Sequence, residues 1–129
     1  LGFMPDDQLP MLMRRSVALI LLSRYEGFGM PPLEAMATGA PAIVSHHASL
    51  PEVAGEAGIV VDPNDPDQVA DAAERLLTDT SWRRAVIARG REHAKRFTWD
   101  ACVDRRTARA WSPRRTPPAP RRPSESQAE

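Results

Sequence analysis

One cysteine in 129 residues, Cys102, is too few for an internal disulfide or for a CxxC redox or zinc pair. No apolar run is longer than residues 17–22, VALILL, far short of the roughly 20 residues a membrane-spanning helix needs. Net charge is absent too, since 17 Lys and Arg balance 17 Asp and Glu. The zero hides two opposed halves: residues 1–79 hold 12 acids against 4 bases, and residues 80–129 hold 5 against 13. The acidic first half argues against an extended basic nucleic-acid surface there. The arginines of the second half are spread over helical segments and a proline-rich tail, and read as solvated faces. No secretory signal is read, and the first residue is Leu rather than Met, so a fragment is expected. The length fits one ordinary domain and leaves no room for a complete two-domain enzyme. Five of the thirteen prolines fall in residues 113–123, and SPRRTPPAPRRPSESQAE has no apolar residue larger than Ala apart from proline. Residues 1–111 are therefore the folding part, and 112–129 a disordered Pro/Arg-rich tail.

What is present alternates between helical and strand patterns, with no internal repeat. In residues 6–15, DDQLPMLMRR, Leu9, Leu12 and Met13 form a helical apolar stripe, with acids in front and arginines behind to complement the helix dipole. Pro10 fits only in the first turn of such a helix. The unbroken apolar run 17–22 reads as a parallel strand covered on both faces. A short helix is predicted over 32–38, packing through Leu33, Met36 and Ala37 and closed by Gly39 as its C-cap. PAIVS (41–45) and residues 59–61 are further strands, the latter ended by the turn-rich DPNDPD. Helices follow over about 66–78, where Val69, Ala72, Ala73, Leu76 and Leu77 recur at helical spacing, and over about 81–95. A last helix is expected over 97–111 with Thr98 as N-cap. This order is part of a parallel α/β layer.

Chemistry concentrates in Glu26, Gly27, Phe28, Gly29, Met30, Pro31, Pro32, Leu33 and Glu34. The segment leaves a buried strand and opens a helix, at the carboxyl end of a parallel strand where open α/β sheets bind ligands. The amides of Gly29 and Met30 can point at a phosphate or sugar oxygen, helped by the helix N-terminus, whereas Pro31 and Pro32 offer none. Glu26 at the strand end and Glu34 in the first helical turn line one cleft if the turn folds back. Two such acids suit a glycosidase-type acid and base, a metal, or acceptance of hydrogen bonds from sugar hydroxyls. The last fits best, because a carboxylate pair accepts well from vicinal hydroxyls. The plain reading beside it has Glu34 decorating a helix N-terminus and Glu26 facing water.

The run SRYEGFGMPPLEAMATGAPAIVS, continued by SLPEVAGEAGIVVDPNDPDQVADA, closely resembles the C-terminal domain of retaining, nucleotide-sugar-dependent glycosyltransferases of the GT-B fold, the family 4 or group 1 class. The likeness covers about residues 1–105 and includes two glutamates separated by seven residues, here Glu26 and Glu34. It implies a partial Rossmann-like parallel sheet with covering helices, belonging to the C-terminal, donor-binding half of a GT-B glycosyltransferase. By the resemblance Glu26 is the catalytic residue, lying beside the transferred sugar, and Glu34 binds the ribose hydroxyls. Gly27, Phe28, Gly29 and Met30 meet the sugar or diphosphate, and Ser49 and Leu50 belong to a loop that reaches the nucleotide through backbone amides. The donor is a nucleotide diphosphate sugar, the acceptor is unknown, and no metal or other cofactor is expected.

The same resemblance implies a cytoplasmic enzyme, peripherally membrane-associated when complete, whose acceptor-binding N-terminal domain comes in cis or in trans. The family's Arg and Lys pair for the diphosphate is not found, and Arg14, Arg15 and Arg24 do not match its positions. Catalysis by residues 1–129 alone is therefore not expected, and a stand-alone nucleotide-sugar binding or partner module, or a non-functional remnant, are the alternatives. His46 and His47, adjacent in extended backbone, point apart and do not share a metal. Glu52 braces its loop, Tyr25 and Phe28 can stack on a base although packing is the plainer reading for Tyr25, and Trp82, Trp99 and Trp111 read as packing residues.

Overall fold

Among the described residues, short β-branched runs set between glycine- and proline-bearing loops build three strands, and amphipathic segments build five helices around them. The computed structural model describes residues 5–97. In chain order these hold α1 (Leu9–Arg15), β1 (Leu19–Leu21), α2 (Met30–Thr38), β2 (Ala42–Ser45), α3 (Leu50–Ala54), a 3-10 turn (Gly55–Ala57), β3 (Ile59–Val61), α4 (Pro66–Thr78) and α5 (Thr80–Ala94). The predicted helix over 97–111, its cap Thr98, Cys102, Trp99, Trp111 and the tail 112–129 lie outside the described residues.

The strands form one parallel sheet in the order β1-β2-β3. Leu19, Ile20 and Leu21 pair with Ala42, Ile43 and Val44, and Ile43, Val44 and Ser45 with Ile59, Val60 and Val61. All four residues of β2 are buried. Their alternation sends Ala42 and Val44 to one face, against Met36, Leu50, Ala54 and Ala57, and Ile43 to the other, against Val61 and Leu76. Helices therefore cover both faces of the central strand, the arrangement a parallel strand requires. This is the partial Rossmann-like α/β layer expected from the sequence.

Several local expectations shift. The strand of the 17–22 run shrinks to Leu19–Leu21 at the sheet edge, where only β2 pairs with it among the described residues, and Ile20 is 48% exposed rather than covered on both faces. Val17, Ala18 and Leu22 still pack on the α4 side. In α1 only Met13 is buried, Leu12 is exposed, and Asp6 and Asp7 precede the helix instead of occupying its first turn. Pro10 does stand in the first turn. Helix α2 begins at Met30, earlier than expected, and buries Ala35 instead of Ala37, because Met13 of α1 packs against Ala35 and Ala40. Leu77 is 63% exposed, since Leu76 takes the buried face of α4. Gly39 closes α2 in the left-handed conformation (φ 94°), its N–H donating to the carbonyls of Ala35 and Met36.

Helices α4 and α5 meet at Asp79, which ends one and caps the other. Its N–H donates to the Arg75 carbonyl (2.9 Å), and its carboxylate accepts from the Trp82 N–H (2.9 Å) and the Ser81 hydroxyl (2.8 Å). The Arg75 guanidinium lies 4.3 Å from the centroid of the Trp82 ring, whose body packs into the α4 side of the core. The Trp82 N–H, then the Ser81 hydroxyl and the Arg75 charge, hold the Asp79 carboxyl below its ordinary 3.8. A lowered folded value means that the cap stabilises fully above the ordinary value and is lost as pH falls through the lowered one. Denaturant midpoints measured from about pH 5 to about pH 2 should show wild type and Asp79→Asn converging on the acid side. A gap between the two that stays constant down to the lowest pH would refute this assignment.

Candidate functional site

A parallel sheet delivers all its carboxyl ends to one edge, so the loops after β1 (22–29), β2 (46–49) and β3 (62–65) come together. Ser45, the last residue of β2 and fully buried, joins two of them. Its hydroxyl donates to the Ser23 carbonyl (2.6 Å) and accepts from the His47 N–H (3.3 Å). The third loop is tied in by Arg24, whose Nη2 donates to Asn64 Oδ1 (3.0 Å), and by the His46 N–H on the Val61 carbonyl (3.1 Å).

Glu26 is half-buried and held at both ends. The Ser23 hydroxyl donates to its carboxylate at 2.8 Å, and the Ser49 hydroxyl donates to its backbone carbonyl at 3.2 Å. One carboxylate oxygen is thereby oriented while the other keeps its full accepting capacity. Gly29 is buried with φ 90°, where a side chain is strained, and a Cβ there would lie 3.0 Å from Leu50 Cδ2 and 3.7 Å from Val53 Cγ1. Glycine lets the loop lie flat on α3. The N–H groups of Gly27, Phe28 and Gly29 find no acceptor among the described residues. Met30 follows as the first residue of α2, and Pro31 and Pro32 remove the next two first-turn N–H groups. The loop thus presents a short row of amides at a helix N-terminus, next to a fixed carboxylate.

The other sequence-predicted residues take distinct places. Glu34 is exposed, and because α2 starts at Met30 it stands beyond the first turn in which it was expected. Ser49 is the N-cap residue of α3, with its hydroxyl spent on Glu26. Leu50 is fully buried inside α3, and its N–H donates to the His47 carbonyl (3.3 Å), so it supports Gly29 from below. Glu52 is exposed in α3. Tyr25 is 87% exposed, which overturns the packing expectation: β1 ends at Leu21, so Tyr25 rides on a loop. His46 and His47 do not point apart, for the chain bends after Ser45 and their rings lie 4.2 Å from each other. Asp62, at the exit of β3, accepts from the Asn64 N–H (2.8 Å). That bond chiefly, with a second from the Asn64 side-chain amide (3.1 Å), holds its carboxyl below 3.8. Among the described residues no three His, Cys, Asp or Glu side chains are grouped to hold a metal ion, and no helix is long and apolar enough to cross a membrane.

Ser23, Ser45 and the Arg24 to Asn64 bond carry this geometry without having been singled out in the sequence. The one available signal was a polar residue closing the otherwise apolar PAIVS. Ser45→Ala would leave the Ser23 carbonyl and His47 N–H without their partner, a cost of about 1 to 3 kcal/mol for buried groups. Urea unfolding of this variant should show that loss, and a change smaller than about 0.5 kcal/mol would refute the bridging role.

The sequence profile of the family described as glycosyl transferases group 1 matches residues 1–93. The O-antigen chain mannosyltransferase B of Escherichia coli is 47% identical over 103 residues, 80% of this chain and 27% of the relative. The D-inositol 3-phosphate glycosyltransferase of Corynebacterium diphtheriae is 35% identical over 103 residues, 78% of this chain and 24% of its own. Among solved structures, sucrose-phosphate synthase from Thermosynechococcus elongatus superposes with a TM-score of 0.68 at 32% identity, over 85% of this chain and 29% of that one. The chain thus spans about a quarter of the length of these proteins.

Proposed function

The chain belongs to the glycosyl transferases group 1 family, and we propose that its carboxyl-edge loops form the donor-binding part of a retaining glycosyltransferase. The donor is a nucleotide diphosphate sugar. One observation carries this reading: the anchored Glu26 carboxylate is followed directly by the Gly27, Phe28 and Gly29 amides, which find no acceptor among the described residues, at the start of α2. Such a pairing suits a ligand that carries both hydroxyls and phosphate.

In the reaction the bond from the sugar's anomeric carbon to the diphosphate oxygen breaks, and the nucleoside diphosphate leaves with the electron pair. The acceptor hydroxyl oxygen bonds to the anomeric carbon on the same face and gives up its proton to the departing diphosphate oxygen. Amides of the 27–30 segment and the α2 dipole meet the diphosphate's charge. Because these dipoles are fixed before the reaction begins, they require no reorganisation as charge develops. Glu26 accepts from the hydroxyls of the transferred sugar and supports positive charge at the anomeric carbon. Glu34 accepts from the ribose hydroxyls, and its exposure leaves its carboxylate accessible to them. Ser49 and Leu50 hold the loop against α3. Contacts to the acceptor, and the remainder of the donor's, come from an acceptor-binding domain supplied in cis or in trans. The transfer named for the Escherichia coli relative makes mannose the first sugar to test. In this reading the enzyme works in the cytoplasm, peripheral to a membrane when complete.

The two glutamates should fail differently in the complete enzyme. Glu34→Ala should weaken nucleoside diphosphate binding by about tenfold or more, the weight of a hydrogen bond to a charged group. Glu26→Ala should lower kcat by about a hundredfold with little change in nucleotide affinity, because its contacts strengthen as the anomeric bond breaks. Calorimetry with the free nucleoside diphosphate beside steady-state kinetics decides, and equal losses of nucleotide affinity in both variants would refute the division of roles.

A further inference from the structure

The loop that holds Glu26 is supported a second time, from the far end of α5. Phe28 is 43% exposed, and its ring meets Phe97 edge to face, with centroids 6.3 Å apart at 75°. Phe97 follows α5 and is held by its N–H on the Ala94 carbonyl (3.1 Å). Its ring lies 5.2 Å from that of His93. His93 Nε2 is 2.8 Å from the Val53 carbonyl, which can only accept, so that nitrogen carries the proton. Val53 O belongs to the last turn of α3, where carbonyls lack intrahelical partners. The imidazole reaches it over Gly55, where a Cβ would lie 2.6 Å from His93 Cε1. Val53 also stands next to Gly29.

These contacts close a circuit from Gly29 to Val53, His93, Phe97, Phe28 and back to Gly29. Each of the two loop residues has its own support, Val53 for Gly29 and Phe97 for Phe28, and His93 links them by its hydrogen bond to Val53 and its ring contact with Phe97. We propose that His93 and Phe97 are positioning residues for the 26–29 loop, fixing its amides and Glu26 for the donor although neither belongs to that loop. The inference rests on the donor reading above for its functional consequence, but its geometric part stands separately. Without His93 and Phe97 the loop would keep the Ser23 and Ser49 bonds to Glu26 and the Gly29 contact with Leu50 and Val53.

Nitrogen-15 relaxation of the 129-residue chain reads the positioning directly, and titration of the complete enzyme with UDP and with GDP reads its consequence. Wild type should show order parameters near about 0.85 at residues 26–29, and Phe97→Ala or His93→Ala should drop them below about 0.6 while α4 stays rigid. Phe97→Tyr, which keeps a ring, and His93→Gln, which keeps an N–H donor, should restore the rigid values. Affinity for whichever nucleoside diphosphate binds should fall about tenfold in the two alanine variants and recover in the conservative pair. An unchanged loop in the alanine variants, or conservative variants as loose as the alanine ones, would overturn the proposal. So would loosening that spreads equally through α4, since that marks a purely structural role. If the complete wild-type enzyme binds neither UDP nor GDP, the donor reading fails, and the order parameters alone still decide the positioning claim.

Discussion

A parallel strand buried on both faces has no side chain left for chemistry, and β2 imposes that constraint on everything around it. Ala42, Ile43 and Val44 are all committed to packing, with helices on either side. Functional groups are therefore pushed to the loops beyond the carboxyl ends of the strands. The one polar side chain of β2, Ser45, stands where the strand ends, and its hydroxyl can remain buried because both of its bonds are made by loop backbone. From that point outward the loops brace one another: Ser23 and Ser49 on Glu26, Gly29 on Leu50 and Val53, and Arg24 on Asn64.

The elements easiest to read were those whose boundaries carry their own chemistry. The bounds of β3 follow from apolar β-branched residues cut off by DPNDPD, and α4 over 66–78 from apolar residues at helical spacing, its start marked in the structure by the cap Asp65 and by Pro66 in the first turn. Gly39 announces the end of α2 because a left-handed cap favours a residue without Cβ. Burial at the sheet edge was less legible. Ile20 lies in a run that reads as doubly covered, but coverage depends on which strands lie beside it, and sequence alternation does not encode neighbours. Leu12, Ala37 and Leu77 fail for a related reason: each lies near its helix's apolar stripe, and only the angle of the packing helix decides which side of that stripe is buried.

The site shows the same division. Glu26, the glycines and Glu34 stand out because their spacing is unusual and their residue types are chemically specific. What holds them does not stand out. Serine hydroxyls bonding to backbone carbonyls leave almost no sequence pattern, and the partners of Ser45 and Ser49 are 22 and 23 residues away. The bend after Ser45 that brings the His46 and His47 rings together is likewise set by the loop, which passes through Ala48 at φ 52° before α3 begins. The contact between Phe28 and Phe97 spans most of the described chain.

A site assembled this way has a definite expected occupant. The central claim is that the first turn of α2 and the two glutamates grip a nucleotide diphosphate sugar from one side. A crystal structure of the complete protein with GDP or UDP bound tests it most directly. The account predicts diphosphate oxygens within about 2.7 to 3.2 Å of amides in the Gly27 to Met30 segment, and ribose hydroxyls at the same range from the Glu34 carboxylate. A nucleotide seated elsewhere, for instance along the arginines of α5, with the Gly27 to Met30 amides and Glu34 unengaged, would contradict it.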